Sequence, residues 1–167
     1  MSKEPTISGT QAAEILVMYR AVFQADDLPS KILRLHALTE WYIERLLTVR
    51  LRAPEQILAE GKFNYGQKLA ILIAMCALPI KVGDALRRLS KLRNKCAHEM
   101  FPEVTDEEIL DAAQPILKEF KLTLQDHETD KLKRDTFHVY AWSLFTELSL
   151  QVAPLEEVMG KSIWSDA

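Results

Sequence analysis

The residues best suited to do chemistry stand together near the middle of the chain. The run Arg93-Asn94-Lys95-Cys96-Ala97-His98 places a guanidinium, an amide and an imidazole within little more than one helical turn. Arginine holds a phosphate through two parallel hydrogen bonds. Histidine is the side chain that exchanges a proton near neutral pH, so it can serve as general base or acid. The charge around them is sorted. Lys81, Arg87, Arg88, Lys91, Arg93 and Lys95 face only Asp84 up to residue 98, and Glu99, Glu103, Asp106, Glu107, Glu108 and Asp111 then follow without a base. Two accounts fit that pattern. The acids can complement the N-terminus of one helix and the bases the C-terminus of another. Alternatively, Arg87, Arg88, Lys91 and Lys95 form a local basic patch able to contact nucleic acid.

Helical geometry sharpens the choice. At 100° per residue, Val82, Leu86, Leu89, Leu92 and Cys96 fall on one apolar stripe. Arg93 falls about 40° from Leu89, inside that stripe, while Asn94 and His98 share the opposite face. An inward arginine needs a carboxylate, a phosphate or water. In one reading Arg93 pairs with Glu40 or Glu44, which lie on a stripe with His36 in an earlier helix. In the other, Arg93, Asn94 and His98 line a cleft. Within one regular helix, positions 93 and 98 point about 140° apart. They meet only if the helix ends before His98 or if a second subunit contributes.

The elements that must position these residues all read as helices. A first helix is expected over about 10–25, with Ala12, Ile15, Tyr19, Val22 and Ala25 on one stripe. A second, over about 30–52, carries Leu28, Ile32, Leu35, Thr39, Tyr42, Leu46 and Val49 at alternating spacings of four and three. Pro54 suits the start of a short helix that ends at Gly61. Asn64 with Gln67 forms a capping-box pattern for a helix over about 65–78, apolar on every side and stopped by Pro79. Such a helix is buried all round or sits in an oligomer interface. The next helix, about 81–98, holds the motif. Thr105 with Glu108 is a second capping box, opening a helix broken near Pro115. A last helix is expected over about 128–152, with Phe137, Tyr140, Leu144, Leu148 and Gln151 on one face. The fold class is all-α, a bundle of six or seven helices around a long antiparallel pair.

Composition bounds the rest. The chain has 167 residues, 48% of them hydrophobic and 27% charged. That fits a single domain, 1–167, burying about 70% of its unfolded surface, with 1–8 and 155–167 as loose tails. Two cysteines, Cys76 and Cys96, make neither a disulfide framework nor a four-thiolate zinc site. The scattered histidines show no metal-ligand spacing, and Gly61, Gly66 and Gly83 form no phosphate loop. No metal and no cofactor is expected. The N-terminus lacks a signal-peptide core, and the longest apolar run, Leu69 to Ile80, is too short to span a bilayer. A soluble, cytoplasmic protein with no membrane contact is expected. At a net charge of −3 the whole molecule does not attract nucleic acid generally. His127 and His138 read as surface or core histidines. Trp41, Tyr42 and Trp142 read as core, and Trp164 as a tail residue able to dock on a partner.

Arg93-Asn94-Lys95-Cys96-Ala97-His98 resembles the Arg-x4–6-His motif of the HEPN superfamily of all-α domains. Leu89-Ser90-Lys91-Leu92 before it and Glu99 after it extend the likeness. Leu38-Thr39-Glu40 followed by Leu46-Leu47 resembles the family's acidic position on the preceding long helix. Phe63, Gln67-Lys68-Leu69 and Thr105-Asp106-Glu107-Glu108-Ile109 are similar to stretches of the mannitol operon repressor branch. The resemblance covers about residues 30–115. It implies a homodimeric, metal-independent endoribonuclease in which a ribose 2′-hydroxyl attacks the adjacent phosphodiester and leaves a 2′,3′-cyclic phosphate. His98 would be general base or acid, Arg93 would stabilise the phosphate, and Asn94 would orient one of them. Glu40, with Glu44, would support Arg93. The setting implied is toxin–antitoxin, defence or stress response, with an antitoxin or regulatory protein as partner. The repressor branch implies the alternative, a non-catalytic regulator or protein-binding module. Members controlled by tyrosine modification carry a tyrosine two residues after the histidine; here Met100 stands there.

Overall fold

The computed structural model describes residues 17–59, 62–116 and 136–159, the last seven of these by their backbone alone. All regular structure among the described residues is helical, with no strand, and the chain is an all-α bundle. Helix α1 is described over 17–23, and α2 spans Leu28–Arg50. A short α3, Glu55–Leu58, leads to α4, Tyr65–Ala74. Helix α5 spans Ile80–His98 and α6 spans Asp106–Ala113, continued by a 3-10 turn at Gln114–Ile116. Helix α7 is Thr136–Met159.

Helix α2 starts two residues before the expected 30, where Asp27 caps it, the carboxylate accepting from the Ser30 amide and hydroxyl, each at 2.8 Å. The two capping boxes form as their patterns predict. Asn64 and Gln67 complete the capping box of α4, and Thr105 and Glu108 that of α6. The short helix after Pro54 forms, with Pro54 as its cap, but it ends at Leu58 and not at Gly61. Gly61, Ala12, Ile15, His127, Trp164 and the segment 1–8 lie outside the described residues.

Two further helix ends differ from expectation. Helix α4 stops at Ala74, four residues short, and Pro79 is not what stops it. Cys76 adopts a left-handed φ of 53°. The Ala77 amide donates to the Leu72 carbonyl at 2.9 Å and the Cys76 amide to that of Ile73 at 3.0 Å. That pair of bonds is a Schellman end, with a cysteine where glycine is usual. At the other end, α7 runs through Pro154 to Met159 instead of stopping near 152, so part of the expected loose tail is helical. Pro154 costs one intrahelical bond without ending the helix.

Within one copy α4 is not buried all round, the first of the two places expected for it. In α4, Leu69 and Leu72 are buried, but Ala70, Ala74 and Met75 are exposed. Helix α7 is the one nearly surrounded. Phe137, Val139, Tyr140, Ala141, Leu144, Phe145, Leu148 and Val152 are all buried. Helix α5 runs antiparallel to α7, since Lys81 pairs with Glu147 while Tyr140 donates to the Ala85 carbonyl. Helix α2 packs on α4, α5 and α7. Its buried stripe is the expected one, Ile32, Leu35, Thr39, Tyr42 and Leu46, widened by Ile43 and Leu47. Tyr42 lies against Ser149 at 3.1 Å, so even the buried hydroxyls of α2 and α7 are paired. Gly83 lets α4 approach α5 closely: a Cβ there would come within 2.4 Å of Ile73 Cδ1.

Candidate functional site

Helix α5 carries the motif because its apolar stripe is anchored from both ends. Val82, Ala85, Leu86, Leu89, Leu92 and Cys96 are buried between α2, α6 and α7. That anchoring fixes where the polar positions go. Arg93 is half-buried at the edge of the stripe, and Asn94 and His98 are exposed. Arg93 donates one hydrogen bond to Asn94 Oδ1, at 3.1 Å. The helix is unbroken through His98, with Glu99 as its C-cap. Arg93 and His98 therefore remain on different sides of one continuous helix, and a single copy does not bring them together.

Glu40 and Glu44 do not pair with Arg93. Lys68 of α4 takes both, reaching Glu44 at 2.5 Å and Glu40 at 3.5 Å. The Lys68 side chain is only 10% exposed, against 39% for Glu40 and 41% for Glu44. Burial works against the ammonium, but the bond and charge of Glu44, with Glu40 behind it, outweigh burial and hold its pKa above the ordinary lysine value. Lys68 is the residue that sequence reasoning missed. Its signal was a single cation one turn into an otherwise apolar helix, where burial demands a partner.

The basic patch is largely spent. Arg87 pairs with Asp84 on its own helix at 2.6 Å. Arg88 bonds the Asp111 carboxylate at 2.7 Å and the Asp111 carbonyl at 2.6 Å. Lys95 meets Glu108 at 2.7 Å. That bond raises the Lys95 pKa, and together with the Thr105 amide it lowers that of Glu108. Asp106, Glu107 and Glu108 stand in the first turn of α6, as the dipole account has it, while Glu108 and Asp111 also pair across to α5, which that account does not include. Lys91 is exposed and has no ion-pair partner among the described residues. A cavity of about 370 Å³ lies between α5 and α6, lined by Lys91, Glu107 and these ion pairs.

Behind Arg93 lies a buried polar cluster. His36, 6% exposed, stacks on Tyr65 with ring centroids 4.2 Å apart. Burial lowers the His36 pKa, the Arg93 charge lowers it further, and Glu40 opposes them. Thr39 donates to the His36 carbonyl at 2.8 Å and touches the Tyr65 hydroxyl at 3.1 Å. Burial pushes the Tyr65 phenol well up, so it stays protonated.

No family model, no curated protein and no solved structure matches this chain. The site therefore has to be read from its own chemistry. His138 is a half-buried histidine packed edge-on to Tyr19, 5.5 Å between centroids, and belongs to the aromatic core. Trp41 and Trp142 pack against that core, as their spacing predicts. Among the described residues no group of His, Cys, Asp and Glu is arranged to hold a metal ion, and no helix is long and apolar enough to cross a membrane.

Proposed function

We propose that this chain is a metal-independent endoribonuclease of the HEPN type, working in the cytoplasm as a homodimer. One observation carries the reading. Arg93 has no carboxylate partner among the described residues, although two glutamates lie on the neighbouring helix. Lys68 holds both, and the guanidinium is left with only Asn94. An arginine kept clear of carboxylates is available to a phosphate. His98, exposed at the end of the same helix, supplies the proton transfer: it takes the proton of the attacking 2′-hydroxyl or gives one to the leaving 5′-oxygen. Arg93 meets the charge that builds on the phosphate. Because α5 is continuous through His98, Arg93 of one copy acts with His98 of the other. Met100 and Phe101, 87% and 84% exposed just beyond His98, supply apolar surface for that contact. An antitoxin or other regulatory protein would restrain the activity.

The test is cleavage of labelled RNA in EDTA. Wild type should leave 2′,3′-cyclic ends; His98→Ala and Arg93→Ala should each be inactive while folded. Mixing and refolding the two variants should restore activity, because a mixed dimer rebuilds one complete Arg93–His98 pair. Inactive wild type, or failure of the mixture to recover, would refute the composite site.

A second reading has its own observation. The pairing of Arg88 with Asp111 and Lys95 with Glu108 leaves the α5–α6 face close to neutral. Such a face suits a non-catalytic regulator that docks a protein better than one that tracks an RNA backbone. Wild type that binds a protein partner and leaves every RNA intact would establish it.

A further inference from the structure

Among the described side chains, one buried polar atom has no hydrogen-bond partner: Nε2 of His36. Buried polar groups are nearly always paired, so an orphan of this kind calls for a physical reason. Each element packed around the ring offers a candidate. On α4, Tyr65 stacks against it, but the Tyr65 hydrogen is committed. Thr39 gives its only hydrogen to the His36 carbonyl, so Tyr65 must be the donor in the Thr39–Tyr65 contact. Lys68, also on α4, is held by Glu40 and Glu44. On α2 itself, Glu40 could only accept, from a ring that carries its proton on Nε2, and its carboxylate is instead turned to Lys68. On α5 stands Arg93, with five N–H groups and one of them used, on Asn94. Its charge is the one that His36 feels most strongly from outside its own helix.

We infer that the Arg93 guanidinium has a second docking position, in which it donates to Nε2 of neutral His36, and that His36 thereby sets where Arg93 stands. His36 is a positioning residue in this scheme: its Nε2 is sealed from solvent and does not touch a ligand. Arg93 exchanges between an outer partner, Asn94, and an inner one, His36. Protonating His36 removes the acceptor and sets two cations side by side, which drives Arg93 outward toward Asn94. Glu40 softens that repulsion and Lys68 limits how far it can.

Nitrogen-detected NMR of histidine-labelled protein tests this directly. At pH 8 the His36 Nε2 signal should be that of an unprotonated acceptor nitrogen. Asn94→Ala removes the outer partner, so Arg93 should spend more time on His36 and the His36 titration should move further down. Arg93→Ala should move it up, toward the ordinary histidine value. In His36→Gln the amide oxygen accepts at every pH, so the Arg93 side-chain signals should lose the pH dependence they have in wild type. A protonated Nε2 at pH 8, or an Asn94→Ala titration that coincides with wild type, overturns the inference. The ribonuclease proposal enters only as the use to which Arg93 is put. None of these signals needs RNA, so the expected shifts in a protein that cleaves nothing would sink the nuclease alone.

Discussion

Replacing Lys68 with methionine probes the contact that frees Arg93. The Lys68 stem is buried, and methionine fills nearly the same volume, so the change removes a charge and leaves little cavity. Two charge-assisted bonds disappear, to Glu44 and Glu40. A bond to a charged group is worth about 1.5–3 kcal/mol when its partners are buried. Here the carboxylates are 39% and 41% exposed, so water takes over much of their solvation. Discounting toward the surface range of about 0–1 kcal/mol per pair leaves roughly 1–2 kcal/mol for the two together. Repulsion between Glu40 and Glu44, one turn apart, adds about 0.2–0.5 kcal/mol. For a chain of this size Tm should fall by about 2–10 °C.

The triple variant Lys68→Met with Glu40→Gln and Glu44→Gln tests the cause, because it leaves no carboxylate unpaired. It should recover most of the lost Tm in the same thermal melts. The functional arm runs in parallel. With Lys68 gone, Glu40 is released beside Arg93, and RNA cleavage should fall in Lys68→Met and return when Glu40→Gln is added. An unchanged Tm in Lys68→Met, or a triple variant less stable than the single one, would refute the reasoning.

Two further outcomes follow from positions already described. Cys76→Gly should stabilise the chain: relief of the left-handed penalty, about 1–2 kcal/mol, exceeds the glycine entropy cost of about 0.5–1 kcal/mol. The net of about 0.5–1 kcal/mol should raise Tm by roughly 1–4 °C, while Cys76→Ala, still strained, should gain nothing. Stability should also decline in acid through His36. Its folded pKa lies below the ordinary 6.5, so the unfolded chain takes up the proton first. The His36 contribution is complete above pH 6.5 and is lost as pH falls from there through the folded pKa. Denaturant melts of His36→Gln should lack this component, and identical pH profiles for the two proteins would count against it.

The fold was legible because its signals are local and repeat. Spacings of three and four in α2 and α5, two capping boxes and Pro54 each act within a few residues, and each is where it was expected. What was not legible depends on choices between distant elements. Helices α4 and α7 are both strongly apolar, and nothing within either run says which will be surrounded. The neighbours decide, and they surround α7. The end of α4 was misread because Pro79 is a visible stop, whereas a cysteine in a left-handed turn carries no composition signal. At the site, the spacing puts Arg93 inside the core stripe, and packing leaves it half-buried at the edge. The partner of Glu40 and Glu44 was not readable, because Arg93 and Lys68 are both cations within reach of the same stripe. Tertiary packing assigns the carboxylates to the more deeply buried of the two, which needs them more.

That assignment also sets how an anion can be held. Of the bases on α5, Lys81, Arg87, Arg88 and Lys95 all have acidic partners among the described residues, which leaves Lys91 and Arg93. Each phosphate neutralised on a single strand contributes a slope of about −0.7 to the dependence of log affinity on log salt. Lys91 and Arg93 would therefore contribute only about −1.4 from one copy of α5, and about −2.8 from two. On this helix alone, charge of that size would not gather RNA from solution. It is enough to hold one phosphodiester once something else has placed it. The same arithmetic explains why the acids of α6 do not argue against chemistry at Arg93. They take up Arg88 and Lys95, and they leave Arg93, which Lys68 keeps clear of Glu40 and Glu44.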